Sequence, residues 1–235
     1  MCKILAVIPA RGGSKEIPRK NIFPLSGRPL IEYTFEAAKG SKLINRTIVS
    51  TDDNEIAEVG RRNGIDVPFM RPKELAEDNT PTLPVIRHAV EFMEKEHSYK
   101  PDIIILLQPT APLRKSHHID EALGLLMDNH DADSVVSVTE VPHQYNPHFV
   151  MKIEDGLLKF YNEDAIKYTR RQSLPKAYSR NGAIYAFRLD TLNKKNSLYG
   201  DTCLPYLMSF EESANIDTMY DLMMAETFLR NRRSW

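Results

Sequence analysis

The sequence predicts an α/β fold, a mostly parallel sheet with helices on both faces. Two observations carry this expectation. Between residues 3 and 138, β-branched runs of strand length alternate with helical patterns, as strand–helix–strand units require. The composition, 42% hydrophobic and 27% charged over 235 residues, is ordinary for a globular chain and long enough for one large domain.

The elements follow in order. Strand runs are "ILAVI" (4–8), "RTIVST" (46–51), "DIIILL" (102–107) and "DSVVSV" (133–138). Between them lie helical stretches at 29–39, 53–64, 82–96 and 116–129. In the third, Leu83, Ile86, Val90 and Met93 recur at three- and four-residue steps, the period of an amphipathic helix. The pattern changes near residue 139. From about 140 to 180 the chain carries scattered aromatics and the segment "FVMKIEDGLLKFY", in which Asp-Gly separates two strand-like runs as in a hairpin. This reads as an insertion into a single domain spanning 1–235. Alternation resumes with "AIYAF" (183–187), and a last helix carries Met219, Leu222, Met223 and Leu229, with Thr218 or Asp217 as its N-cap.

Charge and composition exclude several functions. A net charge of −1 gives no basic field for nucleic acid. Two separated cysteines, Cys2 and Cys203, argue against a disulfide framework or structural zinc. His117 and His118 are adjacent and would diverge around a helix, which is poor geometry for one metal. The amino-terminal apolar run is too short for a signal peptide, and nothing approaches the ~20 apolar residues of a membrane span. The expectation is a soluble, cytoplasmic protein without nucleic-acid or membrane partners.

The chemistry sits in "IPARGGSKEIPRKN" (8–21), a glycine-bearing cationic loop leaving the first strand. Gly12, Gly13 and Ser14 permit a tight turn whose amides can face an anion, and Arg11, Lys15, Arg19 and Lys20 add charge there. Both GxxxxGK[ST] and GxGxxG are absent, so the loop is neither a Walker nor a dinucleotide motif. In open α/β sheets ligands bind beyond the carboxyl ends of strands. A triphosphate is the expected ligand.

Seven segments occur in order: "IPARGGSKEIPRKN", "LSGRPLIEYTFEAA", "VSTDDNEIA", "RPKELAEDNTPT", "LLQPTAPLR", "RRQSLPKAYSRNGAIYAF" and "NIDTMYDLMMAE". Together they resemble the acylneuraminate cytidylyltransferases, the CMP-sialic acid synthetases and their relatives for other nonulosonic acids. The likeness covers about residues 4 to 228. It implies a Rossmann-like fold of the nucleotide-diphospho-sugar transferase type and an Mg²⁺-dependent reaction. CTP and a nine-carbon 2-keto-3-deoxy acid would give a CMP-sugar and pyrophosphate. Cations, backbone amides and a metal ion suit the charge that builds on the phosphate oxygens in such a step.

By the same resemblance, Arg11, Gly12, Gly13, Ser14, Lys15, Lys20 and Asn21 would hold the nucleotide, with Lys20 and Arg11 catalytic. Arg71 and Thr82 would line the same pocket, Thr82 having helix capping as its alternative. Gln108, at the carboxyl end of "DIIILL", would contact the sugar, as would Tyr185 and Tyr199, although Tyr185 reads equally as strand core. Arg114 stands open between ligand and surface residue, and Asp52 between ligand and turn former. Asp217 would be the catalytic carboxylate and Mg²⁺ ligand. The family pattern "IDID" is "ANID" here, so Asn215 replaces the first aspartate.

The resemblance further implies that the insertion is a dimerisation arm exchanged in a homodimer, with Arg171 meeting the sugar carboxylate. Phe149 stands where the pattern has a lysine, and Leu198 where it has a phenylalanine. These departures favour a related acid such as legionaminic acid at least as much as N-acetylneuraminic acid. A 3-deoxy-manno-octulosonate enzyme and a non-catalytic nucleotide-binding scaffold are the rival readings.

Overall fold

The computed structural model describes residues 2–168 and 170–231, with Arg171 described by its backbone alone. The strands are β1 (Ile4–Pro9), β2 (Pro24–Leu25), β3 (Arg28–Pro29), β4 (Arg46–Ser50), β5 (Ile103–Leu106), β6 (Ser134–Glu140), β7 (Met151–Glu154), β8 (Leu157–Phe160), β9 (Tyr178–Arg188) and β10 (Cys203–Leu207). The helices are α1 (Leu30–Gly40), α2 (Asn54–Arg62), α3 (Thr82–His97), α4 (Ser116–Asp128), α5 (Leu189–Asn193) and α6 (Met219–Asn231).

Six strands form the central sheet in the order β10-β6-β9-β5-β1-β4. All pairs are parallel except those of β9, which runs antiparallel to both β5 and β6. The strand period of two explains how the sheet is covered. Ile4, Ala6 and Ile8 of β1 join a core with Ile31 and Phe35 of α1, Ile56 of α2 and Leu123 of α4. Leu5 and Val7 face the other way and pack with Ile86, Val90 and Met93 of α3. Both faces of β1 are thus dry, and helices lie on both sides as expected. A third core joins Leu25 and Leu30 to Leu222 and Ala225 of α6.

Local chemistry fixes the element ends. Asp53 caps α2, accepting from the Glu55 and Ile56 amides at 2.8 and 3.0 Å. At α6 the choice between Thr218 and Asp217 is settled by reciprocal bonds. The Asp221 carboxylate accepts from the Thr218 amide at 2.7 Å and from the Thr218 hydroxyl at 2.9 Å. The Thr218 hydroxyl in turn accepts from the Asp221 amide at 3.4 Å. Thr218 is the cap, which leaves the Asp217 side chain available elsewhere. At α3 the cap position falls on Pro81 with no side-chain bond, so Thr82 does not cap the helix.

Between β6 and β9 the chain leaves the sheet. Its β7–β8 hairpin turns at Asp155–Gly156 (φ 53° and 75°), as the Asp-Gly signal predicts. Every residue of both strands is exposed, including Ile153, Leu157 and Leu158. Strand β10, helix α5 and the short β2–β3 hairpin are additional to the sequence expectation. No helix among the described residues is long and apolar enough to cross a membrane.

Candidate active site

Strands β1, β4 and β5 run parallel, so their carboxyl ends lie along one edge of the sheet. The loop after β1 is shaped from within. The Ala10 amide bonds the Ser50 carbonyl at 2.9 Å, and the Asn21 side-chain amide donates to the Arg11 carbonyl at 2.8 Å, closing the loop on itself. Ile17, fully buried, pins its middle. The Gly12 amide donates to Asp52 at 3.0 Å, which makes Asp52 a loop anchor and turns that amide away from any ligand.

Above this edge lies a cleft of about 460 Å³. Arg11, Gly13, Ser14, Lys20, Asn21, Arg71, Thr82, Gln108 and Asp217 all line it, so residues far apart in sequence converge as expected. Gly12 and Lys15 are not part of its wall. Lys15 sits at the rim, where it and Arg11 share the Asp78 carboxylate at 2.7 and 2.6 Å. These two cations hold Asp78 below the usual carboxylate range, the Lys15 hydrogen bond first.

Lys20 reaches across the cleft. Its ammonium donates to the Ile216 carbonyl at 3.0 Å and to Asp217 Oδ1 at 2.9 Å. Ile216 is itself locked, with its amide on the Thr110 carbonyl at 2.7 Å. Asn215 Oδ1 is buried without a hydrogen-bond partner among the described residues, two positions from the largely exposed Asp217 carboxylate. Arg71 is buried and donates from Nε to the Ser50 hydroxyl at 3.0 Å and from Nη2 to the Ser50 carbonyl. Burial pulls its pKa to about 10, which still leaves it charged at neutral pH.

A second cavity of about 320 Å³ shares Thr82, Gln108 and Asn215 with the first. Its other walls are Leu106, Arg180, Gly182, Tyr185, Leu198 and Tyr199. The rings of Tyr185 and Tyr199 meet edge to face at 6.2 Å. Tyr185 is mostly buried in β9, as the strand-core reading expects, and still lines the cavity. Gly182 has φ +74°, and a Cβ there would lie 2.7 Å from Gln108 Oε1, so the close approach of strand and glutamine needs glycine.

One further placement differs from expectation. Arg114 is neither surface residue nor ligand: it is wholly buried beneath the site. It donates to the carbonyls of Gln108 at 3.2 Å and Ala183 at 2.8 Å and to the Thr34 hydroxyl at 2.6 Å. Burial draws its pKa to about 9. The side chain of Arg171 lies outside the described residues. Arg180, which sequence reasoning passed over, stands in the wall of the second cavity. Regular strand alternation would turn it to the face opposite Tyr185, so no signal for it stood in the sequence.

An α/β sheet with a cleft at its carboxyl edge lined by Arg11, Lys20 and Arg71 as well as Glu77, Asp78 and Asp217, next to a second, tyrosine-walled cavity, fits a nucleotide-binding enzyme with room for a second substrate. Residues 5–221 match the family described as "Cytidylyltransferase". The chain is 34% identical over 233 residues to an N-acylneuraminate cytidylyltransferase of Escherichia coli, covering 98% of this chain and 53% of that one. It is also 34% identical over 231 residues to the CMP-N,N'-diacetyllegionaminic acid synthase of Campylobacter jejuni, covering 96% and 94%. A solved CMP:2-keto-3-deoxy-manno-octonic acid synthetase complexed with CTP superposes with a TM-score of 0.72 at 20% identity, over 98% of this chain and 99% of the other. The chain belongs to the cytidylyltransferase family.

Proposed function

We propose that this enzyme joins CTP to a nonulosonic acid, forming a CMP-sugar and pyrophosphate. The anomeric hydroxyl oxygen attacks the α-phosphorus, the bond to the bridging oxygen breaks, pyrophosphate departs and the hydroxyl proton is released. The observation that carries this reading is the junction of two cavities at Thr82, Gln108 and Asn215, one carrying Arg11, Lys20 and Arg71 beside the carboxylates Glu77, Asp78 and Asp217, the other walled by tyrosines. Arg11, Ser14 and Arg71 would hold the phosphates. Lys20, in the wall of the first cavity, would meet the transferred phosphate, and Gln108, Tyr185 and Tyr199 would meet the sugar.

The oxygen donors suit a hard divalent cation. Asn215 Oδ1 is buried and unpartnered, and the Asp217 carboxylate is close by. Among the described residues no cluster of three or more His, Cys, Asp or Glu side chains is placed for a metal, so phosphate oxygens and water would complete the shell. That is the usual manner of Mg²⁺, which supplies positive charge to the phosphates when bound. Asn215 and Asp217 would hold it, and Lys20 would release Asp217 as phosphate arrives.

The arm carries exposed Ile153, Leu157, Leu158 and Ile166, more apolar surface than an isolated two-stranded ribbon sustains. A second copy of the chain is its proposed partner, in a homodimer. Two lysines, at Ile153 and Leu158, should then leave the protein monomeric in light scattering; an unchanged mass would remove the arm from the interface.

Pyrophosphate release with CTP and Mg²⁺ tests the activity, with N-acetylneuraminate, diacetyllegionaminate, diacetylpseudaminate and 3-deoxy-manno-octulosonate offered in parallel. Turnover of a nine-carbon acid is expected, with diacetyllegionaminate preferred. Equal or better use of N-acetylneuraminate would sink that preference. CTP binding without release for any acid would make the chain a non-catalytic scaffold.

A further inference from the structure

The second cavity contains one charged side chain among its described walls, Arg180. The guanidinium lies 5.6 Å from the centre of the Tyr199 ring and donates from Nη1 to the Tyr199 hydroxyl. The groups acting on it electrostatically are Tyr199 and Tyr185, and no carboxylate is among them. An arginine has five donors in a planar fork. Here one is committed to Tyr199, the ring lies against the guanidinium, and the side chain lines a cavity whose described walls carry no negative charge.

The backbone has been bent to achieve this. Along β6 and β9, Val136 pairs with Tyr185 and Val138 with Arg180, so β9 uses five residues where β6 uses two. In a regular strand, residues five apart point to opposite faces. The irregularity, which contains Gly182 at φ +74°, turns Arg180 and Tyr185 into the same cavity. Such irregularities re-aim side chains next to sites.

We propose that Arg180 binds the carboxylate of the acid substrate and so makes the second cavity selective for anionic sugars. This rests on the cytidylyltransferase reading above. A carboxylate is the group that a fixed, unpaired guanidinium fork recognises best. Tyr199 acts as a positioning residue, through its hydroxyl and its ring.

The test uses the full chain with CTP, Mg²⁺ and the preferred nonulosonic acid, alongside the same sugar with its carboxylate converted to a carboxamide. For Arg180→Ala, the KM for the acid should rise about 10- to 100-fold, the loss of a charge-assisted contact. The KM for CTP and the Tm should not move, since the side chain is exposed and is not part of the first cleft's wall. Arg180→Lys should fall between. Wild type should prefer acid over carboxamide, and Arg180→Ala should lose most of that preference. An unchanged KM for the acid overturns the proposal, as does an equal rise for acid and carboxamide. Wild-type inactivity with every acid would instead bring down the underlying functional reading.

Discussion

Replacing Lys20 by alanine separates chemistry from folding more cleanly than any other change in this site. The Lys20 side chain is 15% exposed, and its ammonium is fixed by the Ile216 carbonyl at 3.0 Å and Asp217 at 2.9 Å. Held this way it is a preorganised charge in the wall of the first cavity. Removing one such donor typically lowers turnover by about 10²–10³. The stability cost is small by comparison. The partner carboxylate is 65% exposed, and ion pairs of that kind contribute less than about 1 kcal/mol. For a domain of this size that corresponds to a Tm change within about 4 °C. Pyrophosphate release at saturating CTP and acid, paired with a thermal melt, reads both quantities. Lys20→Arg should retain part of the activity. Near wild-type turnover in Lys20→Ala would refute the assignment, and a collapse of Tm would show that the lysine is chiefly a structural tie.

Three further outcomes are expected. Arg114→Met leaves the Gln108 and Ala183 carbonyls and the Thr34 hydroxyl unpaired, and should destabilise by about 2 kcal/mol, with a raised KM for the acid through Gln108; a Tm equal to wild type would contradict this. Asn215→Asp adds a second carboxylate beside Asp217 and should lower the Mg²⁺ needed for half-maximal turnover by about tenfold, an effect that a magnesium titration would detect or rule out. Asp133 is held down to about 2 from 3.8, first by Lys195 and then by the Thr202 amide. A depressed carboxylate stabilises the fold above its unfolded pKa and loses that contribution as pH falls. The Tm gap between wild type and Asp133→Asn should therefore be full above about pH 4 and close towards pH 2, and a constant gap would deny the linkage.

Much of this was legible in the sequence because the signals are local. Apolar runs announced β1, β4, β5 and β6, and the turn of the arm hairpin followed from Asp155 and Gly156. The basic loop at 8–21 announced an anion site because glycine, cations and a strand end are neighbours in sequence. What stayed hidden depends on distant partners. The burial of Arg114 needs carbonyls from residues 108 and 183 and a hydroxyl from residue 34, which no window contains. The capping of α6 by Thr218 rather than Asp217 is decided by which hydrogen bonds close, and "NIDT" permits either. Arg180 was invisible because strand alternation places it opposite Tyr185, and only the irregular register of β9 reverses that. Strand β10 was missed because Pro205 lies inside it, a residue tolerated there because β10 is at the sheet edge.

Strand β9 emerges from the arm at Tyr178 and runs on into the middle of the sheet, where β5 and β6 grip it from both sides. Its first residues already pair with the end of β6, its next line the second cavity, and its last lie in the core. The segment between β6 and β9 and the wall of the second cavity are therefore joined by one continuous strand, which passes Gln108 at Gly182.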